Sequence, residues 1–160
     1  MLNTQPVNNL YYNVPVYKLQ VEIDYFYNDF ICYEDPQNGK VPSWKILREN
    51  ESTHIMKKVK RDFCNTYGLD IEKCTAKYYI LDSDTYLPPH IDYNTKCAAN
   101  WILSGSEAPV SYDSGDYYYT NAILDTTKLH WVQNGNEPRV LFKISFFDVS
   151  YEDLVYVTCN

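Results

Sequence analysis

Glycine and paired cysteines are scarce in this chain, and each shortage argues against a class of structure. Only five of the 160 residues are glycine, so long flexible linkers and low-complexity tracts are not expected. The five cysteines form no Cys-x-x-Cys pair and are odd in number. This usage argues against a disulfide framework or a cysteine zinc site, and it is typical of reduced, intracellular thiols.

Positive charge and long apolar runs are also lacking. The formal net charge is −7 and the pI is near 4.8, whereas a nucleic-acid-binding protein normally needs a basic face that displaces counterions from phosphates. No apolar run approaches the roughly 20 residues that cross a bilayer. Residues 1–13 are too polar for a secretory signal. We therefore expect a cytoplasmic protein that has neither a nucleic acid nor a membrane as its partner.

The residues that are present are those of a globular protein. Hydrophobic residues make up 45% of the chain and aromatic residues 16%, with 17 tyrosines. A chain of this length buries a core of its own without help from disulfides. We expect one domain, residues 1–160, whose oligomeric state the sequence does not indicate.

Two patterns predict secondary structure in the first half of the chain. Apolar residues alternate with polar ones over residues 17–23, which is the period of a half-buried strand. Over residues 50–67 apolar side chains recur at helical spacing, with Ser52 or Thr53 placed to cap the helix and Gly68 to end it. Between these elements, residues 35–39 (DPQNG) predict a turn or loop.

The one basic cluster of the sequence falls on this predicted helix. It consists of Lys57, Lys58, Lys60 and Arg61. On an amphipathic helix such a cluster usually forms the solvated face. We therefore predict no binding role for it.

The second half of the chain reads as β-structure. Short apolar or tyrosine-rich runs alternate with turn-forming residues. The predicted strands cover residues 77–81, 87–92, 97–103, 111–119, 122–125, 129–132 and 139–149. Many short strands at close spacing predict a mainly β fold, a barrel or a double-sheet jelly roll. We expect residues 1–75 to supply an N-terminal strand and one or two supporting helices, and residues 76–150 to form the barrel.

Three residues in the β-rich half have the chemistry of a metal site. Residues i and i+2 of a strand project from the same side of a sheet, so His90 and Asp92 are expected to point together. His130 lies on another predicted strand and reaches the same ion if the sheet curls into a barrel. Two imidazoles and one carboxylate are the protein ligands of mononuclear non-haem Fe(II) sites. A His-x-Asp pattern alone is weak, because so short a pattern also arises by chance.

Arg139 strengthens this hypothesis. It lies nine residues after His130 and opens the strongest predicted strand. A guanidinium group holds a carboxylate through two parallel hydrogen bonds, whereas a buried arginine without a partner costs several kcal/mol. The alternative is an arginine at the strand mouth that pairs with Glu137 or with water.

The arrangement resembles the Fe(II)- and 2-oxoglutarate-dependent oxygenase superfamily. It is most similar to small prolyl-hydroxylase and aspartyl/asparaginyl-hydroxylase-like members of phage and bacterial type. The resemblance rests on LPPHID (87–92), KCAANWIL (96–103), NAILDT (121–126), HWVQN (130–134) and RVLFKISFF (139–147). These stretches occur in the family's order over roughly the last half of the chain.

The resemblance implies a double-stranded β-helix, in which His90, Asp92 and His130 bind iron and Arg139 holds the distal carboxylate of 2-oxoglutarate. It also implies that Tyr79 and Asn100 contact the co-substrate and that no further residue is catalytic. In the implied reaction O2 hydroxylates a substrate C–H bond, and succinate and carbon dioxide are released. Iron and the co-substrate perform this chemistry, while the protein positions them.

Other residues lie outside this pattern. We assign no role to His54, and Trp131 alternates out of phase with His130. Nucleic-acid dealkylases of the superfamily resemble one another in a second arginine six residues after the first, where this chain has Ser145. Together with the acidic charge, this departure argues against a nucleobase substrate.

Three functions stay open at the level of sequence. The first is a dioxygenase acting on a peptide side chain or a small molecule. The second is a cupin-like metal-binding isomerase or sugar-binding jelly roll, which shares the barrel but has no need of Arg139. The third is a non-catalytic interaction domain, suggested by the many tyrosines, since tyrosine is common at interfaces.

Overall fold

The structure, a computed structural model, describes residues 5–159; the first four residues of the polar N-terminal stretch lie outside the described residues. Its helices are α1 (Val16–Tyr25), α2 (His54–Tyr67) and α3 (Tyr151–Thr158). Its strands are β1 (Val7–Asn9), β2 (Ile31–Asp35), β3 (Gly39–Arg48), β4 (Cys74–Leu81), β5 (Tyr86–His90), β6 (Cys97–Gly105), β7 (Val110–Tyr112), β8 (Gly115–Tyr117), β9 (Asn121–Leu124), β10 (His130–Gln133) and β11 (Arg139–Phe146).

The strands form two antiparallel sheets. The larger sheet has the order β1-β9-β6-β11-β4-β3-β2, and the smaller has the order β5-β10-β7-β8. An apolar cluster contains side chains of both sheets, among them Tyr79 and Leu141 of the larger and Leu87 and Val132 of the smaller. The predicted mainly β, double-sheet architecture is therefore confirmed. Each predicted strand of the second half is present, although residues 111–119 divide into the hairpin β7–β8.

The outer face of the larger sheet is covered by the helices. A second apolar cluster joins Leu19 and Ile23 of α1, Met56 and Phe63 of α2 and Leu154 of α3 to this face of the sheet. The structure thus has three α-helices in residues 5–159, where one or two were predicted. Among these residues no helix combines the length and the apolar character needed to cross a membrane.

Residues 17–23 form a helix, so the predicted strand is wrong. The alternating pattern would place Tyr17 and Val21 on the buried face, but their exposed fractions are 81% and 50%. The buried residues of α1 are Leu19, Glu22 and Ile23, which share one face of a helix because they are three and four positions apart. Burial against the sheet thus overrides the local alternation.

Glu22 is the polar member of that face, and it stabilises the start of α2. Its Oε2 accepts a hydrogen bond from the Ile55 amide and its Oε1 accepts one from the Met56 amide, both at 2.9 Å. The same carboxylate accepts a hydrogen bond from the Tyr78 hydroxyl at 2.7 Å. A helix N-terminus has unpaired backbone amides and a partial positive charge. Here a carboxylate from another helix accepts hydrogen bonds from two of these amides and places a negative charge beside them.

The predicted end of helix α2 is confirmed, but the predicted cap at its start is wrong. Gly68 ends the helix in the left-handed conformation, with φ of 66°. Thr53 precedes the helix, but its hydroxyl hydrogen-bonds to the Asn50 backbone instead of capping the helix. The predicted solvated basic face is correct for Lys58 and Arg61, which are exposed. It is wrong for Lys60, which is buried and forms an ion pair with Glu49 at 2.7 Å.

The turn predicted at residues 35–39 connects a hairpin that the sequence did not predict. Strands β2 and β3 flank the turn, and β3 pairs with β4 to extend the larger sheet. Strand β3 thereby contributes Trp44 to the inner face beside the candidate metal ligands, at 5.5 Å between its ring centroid and that of His90.

Candidate functional site

His90 and His130 are direct neighbours across two adjacent strands. They are register partners in the antiparallel pair β5–β10, and their ring centroids lie 4.4 Å apart. The expectation that the sheet must curl to join them is wrong, since both residues belong to the four-stranded sheet. Strand β5 is an edge of that sheet, which accommodates Pro88 and Pro89 because an edge strand does not need every amide for pairing.

Asp92 lies just beyond the strand rather than on it. Strand β5 ends at His90, and the Asp92 amide donates a hydrogen bond to the Thr126 carbonyl at 3.1 Å. The carboxylate nevertheless faces both imidazoles: its Oδ1 is 3.5 Å from His90 Nε2 and 3.3 Å from His130 Nε2. The three candidate ligand atoms all lie within 4.8 Å of one another. The three side chains therefore do converge, but alternation along a single strand, which was the expected reason, is not the cause.

Backbone carbonyls fix the tautomer of both histidines. His90 Nδ1 donates to the Pro88 carbonyl at 2.7 Å, and His130 Nδ1 donates to the Lys128 carbonyl at 2.8 Å. A carbonyl only accepts, so Nδ1 carries a proton in each ring, and in the neutral form of the ring the free lone pair is on Nε2. Both lone pairs lie beside Asp92. Metal-binding histidines are commonly oriented by such hydrogen bonds.

The three side chains fit a divalent metal ion. Two imidazole nitrogens and a carboxylate oxygen bind such ions at about 2.0–2.2 Å, so neighbouring ligands of one ion are separated by roughly 3 Å. The distances of 3.3 and 3.5 Å from Asp92 Oδ1 are close to that value. The donor set is that of a facial triad, which leaves coordination positions open on its other side.

Lys143 belongs to this site, although it was not among the residues predicted from the sequence. It lies on β11 of the larger sheet, and its Nζ donates to Asp92 Oδ2 at 2.6 Å. Both side chains are largely buried, with 12% and 14% of their surface exposed. The alternation along β11 does indicate that Lys143 points inward. Arg139, Leu141 and Lys143 are spaced by two residues and therefore share the inner face.

The surroundings of Asp92 and His90 determine their protonation states. Burial raises the pKa of Asp92, but the Lys143 ammonium and the adjacent His130 outweigh it and hold that pKa well below its ordinary range. Burial and the neighbouring His130 lower the pKa of His90 below its ordinary value. Near neutral pH the site therefore combines an ionised carboxylate with a neutral His90, which are the forms that bind metal.

Arg139 is buried without an acidic partner. Only 1% of its surface is exposed. Its Nη1 donates to the Ala108 carbonyl, and the Tyr119 ring lies 5.7 Å from the guanidinium carbon. Its Nε has no hydrogen-bond partner among the described residues. Within residues 5–159 no carboxylate, Glu137 included, lies within 4.0 Å of it. A buried guanidinium in this state favours an anionic ligand.

Tyr79 and Asn100 line the same cavity as Arg139 and the two histidines. This cavity, which we call the inner cavity, has a volume of about 50 Å³ and is also lined by Trp44, Leu81, Leu87, Val110, Tyr119, Leu124, Val132, Leu141 and Lys143. Asn100 donates to the Tyr119 hydroxyl at 3.1 Å, and its buried Oδ1 has no hydrogen-bond partner in the part of the chain that the structure describes. Side chains must move to admit a dicarboxylate, given the small volume. The roles of Tyr79, Asn100 and Arg139 in binding a co-substrate stay predictions.

The residues without an assigned role lie away from this cavity. His54 is exposed at the start of α2, and Trp131 is half-buried next to His130. Ser145 is buried on β11, and its hydroxyl has no hydrogen-bond partner within residues 5–159.

Comparison with known proteins gives a likeness of fold. No protein-family model and no curated protein sequence matches the chain. A Pseudomonas putida prolyl-4-hydroxylase is similar with a TM-score of 0.66 and 11% identity over 90% of this chain and 94% of that one. A Trichoplax adhaerens prolyl hydroxylase, in complex with a hypoxia inducible factor peptide fragment, has a TM-score of 0.69 and 12% identity over 95% and 88%.

A third similar structure is viral. The collagen prolyl hydroxylase of Paramecium Bursaria Chlorella virus-1, in complex with 2OG, has a TM-score of 0.55 and 11% identity over 92% of this chain and 98% of that one. These structures confirm the expected double-stranded β-helix, and they are members of the group that the sequence resembles. At 11–12% identity the likeness extends to the fold alone.

Proposed function

We propose that this protein is an Fe(II)- and 2-oxoglutarate-dependent dioxygenase that hydroxylates a C–H bond of a peptide side chain or a small molecule. The observation that carries the proposal is the position of Arg139. A buried guanidinium without an acidic partner lines the same cavity as His90 and His130. A metal site alone does not require this cation, whereas a co-substrate with a distal carboxylate does.

The chain's own residues have separate tasks in this proposal. His90, Asp92 and His130 would hold the iron, and Arg139 would bind the distal carboxylate through parallel hydrogen bonds. When bound, iron and 2-oxoglutarate supply the oxidising chemistry: O2, the co-substrate and a C–H bond are converted to succinate, carbon dioxide and an alcohol. The apolar walls formed by Leu87, Val110, Leu124, Val132 and Leu141 exclude water from the reacting groups.

Binding of 2-oxoglutarate is the decisive test. Calorimetric titration of the Mn(II)-loaded protein is expected to give binding at submillimolar concentration, because Mn(II) takes the same ligands without redox chemistry. Arg139→Ala is expected to weaken 2-oxoglutarate at least tenfold and to leave Mn(II) affinity within threefold. The absence of binding by the unmodified protein at millimolar 2-oxoglutarate contradicts the proposal.

The same variant separates the alternatives. A cupin-like metal-binding isomerase retains metal binding but has no use for Arg139, so 2-oxoglutarate would not bind to either form. A non-catalytic jelly-roll interaction domain would bind neither ion nor co-substrate with useful affinity. With Fe(II), ascorbate and O2, the dioxygenase is expected to convert 2-oxoglutarate slowly to succinate even without substrate, which NMR detects.

A further inference from the structure

A second cavity opens beside the candidate metal site, and three cations line it. This outer cavity has a volume of about 200 Å³ and shares Trp44, Tyr79 and Lys143 with the inner cavity. Its remaining lining residues are Tyr33, Glu34, Pro36, Arg48, Lys77, Asp92, Tyr93 and Thr95. Asp92 therefore faces both histidines and this outer space. A substrate that approaches the site from the side of Asp92 passes through this space.

The three cations stand side by side on one face of the larger sheet. Arg48 of β3 is the register partner of Lys77 of β4, and Lys77 is the register partner of Lys143 of β11. Directly opposite residues of antiparallel strands project to the same face, with Cβ atoms about 4.5–5.5 Å apart. The alternation along β4 and β3 places Tyr79 and Ile46 on this face too, and both belong to the core between the sheets.

This row is not balanced by the protein's own acids. Asp92 neutralises Lys143 at 2.6 Å. In the described part of the chain no carboxylate oxygen lies within 4.0 Å of Lys77 or Arg48, although Glu34 lines the cavity rim. Like charges directly opposite one another destabilise a sheet. The protein carries a net charge of −7, so the row is a local concentration of cations and not part of a general basicity.

The lowered pKa of Lys77 shows that burial and this row of cations disfavour its protonated form. Burial and the charges of Lys143 and Arg48 lower the pKa of Lys77 to about 8. The side chain is half-buried, and an anion placed between Lys77 and Arg48 would remove the repulsion. The planar guanidinium of Arg48 suits a carboxylate, which it binds with two hydrogen bonds.

We propose that the outer cavity binds a carboxylate of the substrate, so that the molecule oxidised here is a small carboxylic acid or presents an acidic side chain. The inference rests on the proposed function and names the substrate class of the same site. Lys77 and Arg48 hold the anion, while the ion pair between Lys143 and Asp92 separates it from the two histidines. A cavity of about 200 Å³ takes a compact group, since pockets for drug-sized ligands occupy about 300–1,000 Å³.

The test compares three probes that differ in charge and shape. The Mn(II)-loaded protein is first saturated with 2-oxoglutarate, whose binding is measured separately. N-acetyl-aspartate N-methylamide, its asparagine counterpart and N-acetyl-phosphoserine N-methylamide are then titrated by calorimetry. The aspartate probe is expected to bind at least tenfold more tightly than the asparagine probe, because the two have nearly the same shape and differ in charge. It is also expected to bind more tightly than the phosphoserine probe.

Two variants locate the binding. Lys77→Met and Arg48→Met are each expected to weaken the aspartate probe at least fivefold and to change 2-oxoglutarate affinity by less than threefold. Arg48 is exposed, so its variant folds even where the Lys77 variant does not. Lys45→Met is the matched control, since Lys45 also lies on β3 but is out of phase with Arg48 and lines neither cavity.

Several outcomes overturn the inference without touching the proposed function. These are equal affinities for the aspartate and asparagine probes, tighter binding of the phosphoserine probe, and an unchanged aspartate affinity in both variants. A parallel loss of 2-oxoglutarate binding in Lys77→Met and Arg48→Met also overturns it, because the cations then serve the co-substrate. Failure of the unmodified protein to bind 2-oxoglutarate instead contradicts the proposed function, and with it the assignment of a substrate.

Discussion

At the scale of single residues, the ion pair between Lys143 and Asp92 dominates the candidate site. It joins β11 of the larger sheet to the segment just after β5 through a contact of 2.6 Å between largely buried groups. The low pKa of Asp92 means that the folded state favours the ionised form. The stabilisation is therefore present above the ordinary carboxyl pKa of about 4 and is lost as the pH falls through the lowered value.

Lys143→Met is expected to lower the free energy of unfolding of the metal-free protein by about 2–4 kcal/mol, since Asp92 stays buried without its cation. Urea denaturation at pH 7 measures the change. Lys58→Met is the control, because it removes a cation 2.8 Å from Asp62 on the surface and is expected to cost less than about 1 kcal/mol. Equal losses in the two variants would show that the buried pair is not special.

The pH dependence of metal binding follows from His90. Its pKa is lowered, chiefly by burial and then by His130, so it stays neutral below the ordinary histidine pKa of about 6.5. A histidine must be neutral to bind a metal. Protonation of His90 is therefore expected to weaken Mn(II) binding only below about pH 6.5, and calorimetric titrations between about pH 7.5 and 5 measure where the affinity falls. A steep fall already above pH 6.5 contradicts this.

Most of the candidate site could be predicted from sequence because its residues carry distinctive chemistry. Histidine and arginine are rare in this chain, with three of each, and Asp92 has the spacing of a ligand relative to His90. The structure brings Asp92 together with both histidines and places Arg139 in the cavity that the histidines line. Lys143 was missed because a lysine is ordinarily exposed. Its inward orientation depends on the phase of β11, and its partner lies 51 positions earlier in the chain.

At the scale of elements, contacts between segments decide what local patterns do not. The alternation in residues 17–23 predicts a strand, but the helix α1 buries Glu22 where two amides of α2 and the Tyr78 hydroxyl need an acceptor. Nothing in the alternation itself reveals such partners, which lie 33 to 56 positions away. The hairpin β2–β3 escaped prediction for a similar reason, because pairing with β4 stabilises it.

Glu22→Gln tests this contact between α1 and α2. The amide retains the shape but removes the charge at the helix N-terminus, so the free energy of unfolding is expected to fall by about 1–3 kcal/mol. Thermal and urea unfolding measure the loss. Asp24→Asn, the same charge change on the exposed side of α1, is expected to stay within about 0.5 kcal/mol. A similar stability of both variants would mean that α2 does not depend on this carboxylate.

Gly105 determines how closely β6 approaches the start of β11. Its φ is +98°, and an added Cβ would lie 1.7 Å from the Pro138 carbonyl oxygen. Gly105→Ala is expected to cost roughly 2 kcal/mol or more from backbone strain and steric overlap, and to weaken 2-oxoglutarate because Arg139 is the register partner of Gly105. Gly39→Ala is the control, because Gly39 has a φ of +74° but open space around it. Its loss of stability therefore reports backbone strain without steric overlap.

At the scale of the whole molecule, the candidate site lies between the inner faces of the two sheets, and the helices pack against the outer face of the larger sheet. The larger sheet supplies Arg139, Lys143 and Tyr79, and the smaller supplies both histidines. Residues 1–75 were expected to support the barrel, and within them β3 contributes Trp44 and Arg48 to the two cavities. The division of the chain at residue 75 and its cytoplasmic location stay predictions.

The pairing of β5 with β10 has a consequence for how the chain matures. His90 and His130 face each other only in one alignment of these strands; a slip by a single position sets Trp131 opposite His90 and turns one imidazole away. A divalent ion held by both histidines would therefore stabilise the native alignment and none of its neighbours. Refolding in the presence of such an ion is expected to favour chains in which the smaller sheet has formed its native hydrogen-bond ladder.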